Sequence, residues 1–193
     1  MVEERTTLVT VKRATAEDSA WLAECRTQMF LDMNVAEETT DIVRCALVEY
    51  LNRAIPTGRH LGWVALDGEG CVGGLCALIQ EGPPFSRNLN GRSARLMSMY
   101  VVPERRRQGI GEALLKTALA DLSELGIHVV SLVASEEGRP LYERFGFEDS
   151  PEMRLRHTSN GPRSIQPVPG VDATTDATTG EADPQAPIPR PMK

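Results

Sequence analysis

The sequence predicts an α/β domain over residues 1–157 and a tail over residues 158–193. Two observations carry this. From residue 7 to 157 the apolar spacing alternates between a period of two and a helical period, in the order β, α, α, β, β, β, α, β, α, β. Beyond that point the pattern stops: residues 158–193 hold seven of the 13 prolines, the run "DATTDATTGEAD" and almost no large apolar side chains. Such a segment buries too little surface to offset its ordering entropy. It is read as disordered, or as a strap on the surface or on a partner subunit, which leaves a homodimer open.

Each element has its own signal. "TLVTVKR" alternates as a strand does. "TAEDSAWLAECRTQMFLDM" opens with Thr15 and, three residues later, Asp18, a capping-box-like start; Trp21, Leu22, Cys25, Met29 and Met33 then recur at helical spacing. "DIVRCALVEYLNRAIP" repeats the pattern and stops before Pro56. "HLGWVALDGEGCVGGLCALIQ" places two apolar runs around "DGEG", a hairpin signal. Residues 81–93 form a loop, and "ARLMSMYVV" a strand ended by Pro103. "GEALLKTALADLSEL" is a helix closed by Gly126. "IHVVSLVAS" is a largely apolar strand, expected to be central in the sheet. "GRPLYERFGF" is a short helix ended by Gly146, and "PEMRLRH" a closing strand.

Composition narrows the function. A hydrophobic fraction of 41%, a charged fraction of 25% and a net charge of −6 describe an ordinary globular chain and argue against general affinity for nucleic acid. The start is no secretory signal, and the longest uncharged apolar stretch is too short to span a bilayer, so no membrane partner is expected. Cys25, Cys45, Cys71 and Cys76 have neither metal-ligand spacing nor a disulfide framework, and His60, His128 and His157 stand apart. The expectation is a cytoplasmic protein with reduced thiols and no metal.

The stretch "VVPERRRQGIGEALLKTAL" carries the chemistry. A strand runs into three arginines, then Gly109 and Gly111, then a helix. The first turn of a helix has four backbone N–H groups without intrahelical partners, and the helix dipole adds about half a positive charge there. Glycines let a ligand approach the backbone, so a phosphate suits the place. A basic run also reads as a solvated face, and a lone G-x-G is weak. A P-loop is excluded because G-x-x-x-x-G-K-[ST] is absent, and Leu114 stands where a dinucleotide fingerprint needs its third glycine.

What remains, Arg106-x-x-Gly109-x-Gly111 after a strand ending "MYVVPERR", resembles the acyl-CoA signature [QR]-x-x-G-x-[GA] of the GCN5-related N-acetyltransferase (GNAT) family. Downstream, "VASEEGRPLYERFGF" is similar to the strand, short helix and Y-x-x-x-G-F ending of these enzymes, and the element order over residues 7–157 matches. The resemblance implies a mixed, mostly antiparallel central sheet flanked by helices, with the strands at 94–102 and 127–135 splayed into an acyl-CoA wedge. It implies acetyl-CoA as co-substrate. The backbone of Met99, Tyr100 and Val101 would pair with pantetheine. Arg106, Arg107, Gln108, Gly109, Ile110, Gly111 and Glu112 would hold the pyrophosphate.

Direct transfer to an amine needs alignment, loss of a proton from the amine and stabilisation of the leaving thiolate. By resemblance Tyr142 is the candidate acid for that thiolate. Ser135 either caps the last helix or touches CoA. The strand "ARLMSMYVV" has no carboxylate, so the base is sought in water relayed by Ser98, in backbone carbonyls, or in Glu81. The first two helices and the 81–93 loop build the acceptor pocket in the family. Asp32, Glu37, Glu38, Asp41 and Glu49 make that region acidic, which favours a small cationic amine such as an aminoglycoside, a kasugamycin-type antibiotic among them. Acids in a first helical turn also simply favour the dipole. A protein N-terminus or lysine is the rival acceptor, and a non-catalytic acyl-CoA sensor the rival class.

Overall fold

The computed structural model describes residues 9–34, 37–86 and 88–153. The chain divides into two units after Glu148, and every described helix and strand belongs to the first. β1 (Thr10–Arg13) passes through a 3-10 turn (Ala16–Asp18) into α1 (Ser19–Asp32), followed by α2 (Glu37–Ala54). The hairpin β2 (His60–Asp67) and β3 (Gly70–Glu81) leads to β4 (Arg92–Val101), a 3-10 turn (Pro103–Arg105) and α3 (Ile110–Glu124). β5 (Val129–Ser131) and α4 (Arg139–Arg144) complete the order. The sheet runs β1-β2-β3-β4-β5, antiparallel except for the parallel β4–β5 pair.

Local chemistry sets the boundaries. The Thr15 N–H donates to the Asp18 carboxylate at 2.9 Å, the reciprocal half of the expected capping box. Gly70 closes the hairpin at φ +143°, and Gly126 ends α3 at φ +72°, where a residue with a Cβ is disfavoured. Asp67 organises the hairpin turn by accepting the N–H groups of Glu69 and Gly70 at 2.8 and 3.1 Å.

Two helical layers cover the sheet. On one face Trp63, Leu75, Ala77 and Leu96 pack with Leu114, Leu115 and Leu122 of α3, and the Trp63 indole N–H donates to Asp121 at 2.7 Å. On the other face Val64 and Cys76 pack with Leu22 of α1 and Leu51 of α2. α1 lies very close to the sheet because Gly62 and Gly74 face it. A Cβ on Gly62 would stand 2.5 Å from Leu22 Cδ1 and 3.1 Å from the Ala14 Cβ, and one on Gly74 would stand 3.0 Å from Cys25 Sγ.

Three expectations differ from the structure. The apolar strand at 127–135 is only three residues long, is half-buried and lies at the edge of the described sheet, not at its centre. Its apolar residues report packing of Val130 and Leu132 on the α3-side core, which needs no second strand neighbour. The closing strand is absent at Pro151–Met153, and residues 154–157 of it lie outside the described residues, as does the tail 158–193. The first strand begins at Thr10; residues 7 and 8 also lie outside. Among the described residues no helix is long and apolar enough to cross a membrane.

The close approach of α1 gives a direct test. Gly62→Ala should destabilise the fold by about 1–3 kcal/mol, the usual cost of overpacking. Urea unfolding should show a lower midpoint with an unchanged slope. A midpoint at or above that of the parent would mean that α1 is not seated this tightly.

Candidate active site

The loop between β4 and α3 is fastened at both ends. Arg105 pairs with Asp67 at 2.8 Å, with the Asp67 side chain only 2% exposed, so the loop is tied to the hairpin turn. Arg106 donates through Nε to the Val101 carbonyl at 3.0 Å and pairs with Asp32 of α1 at 2.7 Å, its guanidinium 5.3 Å from the Tyr100 ring centroid. Arg107 and Gly109 both have left-handed backbones, at φ +62° and +82°. A Cβ built on Gly109 meets nothing within 4 Å, so the left-handed cap demands its glycine and the space beyond is open. The first turn of α3 therefore presents its N–H groups beside an accessible backbone. Ile110 is buried as an anchor. Gln108 reaches back to the Glu104 carbonyl, and Glu112 pairs with Arg144 at 2.9 Å.

Beside this loop the sheet opens. β5 pairs with β4 only at Ser93–Arg95, and β4 continues to Val101 without it. Tyr142 of α4 points at this free stretch: its hydroxyl donates to Met99 Sδ at 3.5 Å, and its ring meets Phe147 edge-on at 5.8 Å. A Cβ on Gly111 would lie 3.6 Å from Leu141 and 3.9 Å from Met99 Sδ, so the loop and α4 converge on the same residue. Burial pushes the Tyr142 phenol above its ordinary value of 10, which keeps it protonated at neutral pH. Ser135 acts as a cap: its hydroxyl accepts the Gly138 N–H at 3.1 Å.

β4 carries a bulge here. Gly74 pairs with Tyr100 and Cys76 with Met97, so Ser98 and Met99 together oppose Leu75. Ser98 has a left-handed backbone at φ +56°. The extra residue shifts the alternation: Met97 and Ser98, adjacent in the chain, line the same cavity on the α1–α2 face, while Met99 turns to Tyr142 on the other. The cavity, of about 400 Å³, is also lined by Arg26, Tyr50, His60 and Leu78. Arg26 donates to the Ser98 hydroxyl at 2.8 Å and lies 4.8 Å from the Phe30 ring centroid. His60 is 3% exposed, touches Tyr50 edge-on, and neither ring nitrogen has a partner among the described residues. Burial, aided by the charge of Arg26, pushes its pKa down to about 4, so the imidazole is neutral at pH 7. Burial pushes the Cys76 thiol up to about 12, which makes it a poor nucleophile.

The residues singled out in the sequence thus separate. Ser98, Met99, Tyr100, Val101, the 106–112 loop and Tyr142 gather around the bulge and the splayed edge. Glu81 does not join them. It pairs with Arg92 at 3.9 Å, six residues up β4 from Ser98, or roughly 20 Å at about 3.3 Å per residue. Asp32 is tied to Arg106 and Asp41 to Arg44 at 3.2 Å. Glu49 is exposed, and the side chains of Glu37 and Glu38 lie outside the described residues. Arg26, Tyr50 and His60 are the additions that sequence reasoning missed.

A family model described as an acetyltransferase (GNAT) domain matches residues 58–149. Residues 58–149 therefore carry a GNAT acetyltransferase domain. It is similar, at 27% identity, to a GCN5-related N-acetyltransferase from Ralstonia eutropha over 78% of this chain and 99% of that one, with a TM-score of 0.71. A structure from Clostridium acetobutylicum, described as a predicted acetyltransferase with acetyl-CoA, matches at 25% identity over 78% and 96% of the two chains, also with a TM-score of 0.71. Glucosamine-6-phosphate N-acetyltransferase from Arabidopsis thaliana shares the fold at 16% identity and a TM-score of 0.57, over 78% and 98%. The domain and its neighbours make the enzyme an acetyl-CoA-dependent N-acetyltransferase.

The neutral His60 predicts a pH signature. Its folded pKa lies below the unfolded value of 6.5, so between about pH 6.5 and 4 the unfolded chain binds a proton that the folded chain refuses. Stability is therefore lost as pH falls through that window. The His60→Phe variant should lose less stability than the parent between pH 7 and 4.5 in matched urea titrations. Parallel losses would mean that His60 titrates normally.

Proposed function

We propose that this GNAT enzyme binds acetyl-CoA along the splayed edge of β4 and transfers the acetyl group directly to a primary amine seated in the Arg26–His60–Ser98 cavity. The observation that carries this is the bulge: Ser98 lines the cavity while the next residue, Met99, touches Tyr142, so two compartments meet across one peptide unit.

The chain's own groups fit the donor. Gly109 leaves open space over the helix N-terminus, and the free edge at 96–101 offers backbone groups to pantetheine amides. Acetyl-CoA supplies an acyl thioester to the reaction. The cavity wall aligns the amine, a C–N bond forms as the C–S bond breaks, and the amine proton leaves to solvent. Tyr142 holds a proton at its hydroxyl for the departing sulfur and regains one from solvent, so the products are an amide and CoA thiol. The guanidinium of Arg26 already donates to Ser98, which weakens that hydroxyl as a base and leaves its O–H free to donate.

A polycationic acceptor such as an aminoglycoside draws its support from the acidic residues of α1 and α2. Of these, Asp32 and Asp41 already have cationic partners, and a cavity of about 400 Å³ is near the lower end of the ~300–1,000 Å³ range of ligand sites.

Two variants test the donor site, with free thiol release and calorimetry as readouts. Gly109→Asp should still fold at a cost of about 1–2 kcal/mol for the left-handed backbone, which Asp tolerates better than most residues, and should weaken CoA binding by on the order of 10- to 100-fold, because a carboxylate then meets the anion at the helix N-terminus. Wild-type affinity in this variant would remove the phosphates from the loop. Tyr142→Phe keeps the ring and its packing. It should leave CoA affinity unchanged and lower turnover by about 10- to 100-fold, at the modest end of general acid catalysis because a thiolate leaves readily. Full turnover in this variant would assign the proton to another donor.

A further inference from the structure

We propose that the acceptor is an amino carboxylate on an apolar body, of the kind an α-amino acid with a large apolar side chain presents, and that Arg26 with Ser98 binds its carboxylate. This rests on the acetyltransferase reading and names the substrate class of that site.

The charge of the cavity decides the class. Among the described residues none that lines it is acidic, and Arg26 is the one cation there at neutral pH because His60 is neutral. Arg26 has no ion pair among the described residues; it makes a single hydrogen bond, to Ser98, and lies against Phe30. A guanidinium has five N–H donors, so most remain to be satisfied. Ser98 accepts from Arg26, which leaves its own O–H available as a second donor beside the first. Two adjacent donors, one of them cationic, match a carboxylate, whose two oxygens only accept. A polycation would meet an unopposed guanidinium instead.

Geometry adds the rest. The donor pair sits at the bulge, where the cavity reaches the acyl-donor side. A carboxylate held there keeps an amine one or two bonds away at the point of transfer, which suits an α-amine better than a distant one. From there the walls are apolar, formed by Val43, Leu47, Leu78 and Met97, as far as the Tyr50–His60 end. His60 on β2 is level with Arg95 on β4, and Ser98 lies three residues further along, so the two are roughly 14 Å apart at about 4.8 Å per strand and 3.3 Å per residue. A large apolar side chain suits that span.

Binding to the CoA-loaded full-length protein by calorimetry tests this without requiring turnover. The probes are N-acetyl-L-phenylalanine, its carboxylate-free counterpart N-acetylphenethylamine, and spermidine. N-acetyl-L-phenylalanine should bind at least tenfold more tightly than the other two. Arg26→Gln should remove that preference, while N-acetylphenethylamine binds both proteins equally and circular dichroism and acetyl-CoA affinity stay as in the parent. Equal binding of the two acetylated probes, tighter binding of spermidine, an Arg26→Gln variant that keeps the preference, or no binding of any probe would each overturn the proposal. Acetyl-CoA affinity and thiol release with L-phenylalanine are read in parallel. A protein that prefers the carboxylate probe but neither binds acetyl-CoA nor releases thiol would refute the transferase reading and leave the carboxylate site standing.

Discussion

The left-handed backbone of Ser98 is the constraint from which the site follows. An L-residue in that conformation costs about 1–3 kcal/mol and persists only when its surroundings enforce it. Here Arg26 holds the hydroxyl, and the flanking pairs Gly74–Tyr100 and Cys76–Met97 fix the strand on either side. In a regular strand, side chains alternate strictly between faces. Ser98 would then face α3 and Met99 would face the α1–α2 cavity, leaving Tyr142 without its contact. One inserted residue thus assigns neighbouring positions to the two faces of the sheet, which on the proposed reading is where acceptor and acyl donor meet.

That division works only if the strand's flanks are immobile, and charge pairs serve this end. The basic run after β4 reads as an anion trap, yet two of its three arginines are already paired, Arg105 with Asp67 and Arg106 with Asp32. Their part is to fix the loop to the hairpin and to α1. Asp67 is buried, so loss of Arg105 would leave an uncompensated charge, a far larger penalty than an exposed pair brings. What the loop then offers an anion is mainly backbone: N–H groups at the start of α3 and a left-handed glycine cap, with Arg107 as the remaining cation.

The residues read as an acyl-donor site stood together in the sequence and those of the cavity did not, for a physical reason. A phosphate cradle is local, with strand, glycines and helix contiguous, so "RRRQGIG" and the "YERFGF" segment could be read directly. The cavity instead joins α1, α2, β2, β3 and β4, and contacts such as Arg26 to Ser98 span 72 positions. One signal was present: Arg26 falls four residues after Leu22 and three before Met29, inside the apolar stripe of α1, where a cation needs a reason. His60 likewise opens an apolar strand. The acidic residues alone do not identify an acceptor, because one-letter codes carry no partner; Asp32 and Asp41 are already matched. β5 misleads for a similar reason, since an apolar run reports burial and not its place in a sheet.

The absence of acidic side chains among the described residues of the cavity wall bears on the reaction itself. An amine must be neutral to attack, and a carboxylate base is the common means of keeping it so. A neighbouring cation achieves part of the same end, because it disfavours the ammonium form and lowers the amine's pKa. Arg26 exerts that influence on His60 across the same cavity, where its charge adds to the effect of burial. An acceptor carboxylate bound to Arg26 would offset some of the field, but the low-dielectric walls still penalise an unpaired ammonium. Solvent then needs only to accept a proton that the site has already made easy to lose. On that proposal, the cation that selects the acceptor's anionic end would also prepare its nucleophile.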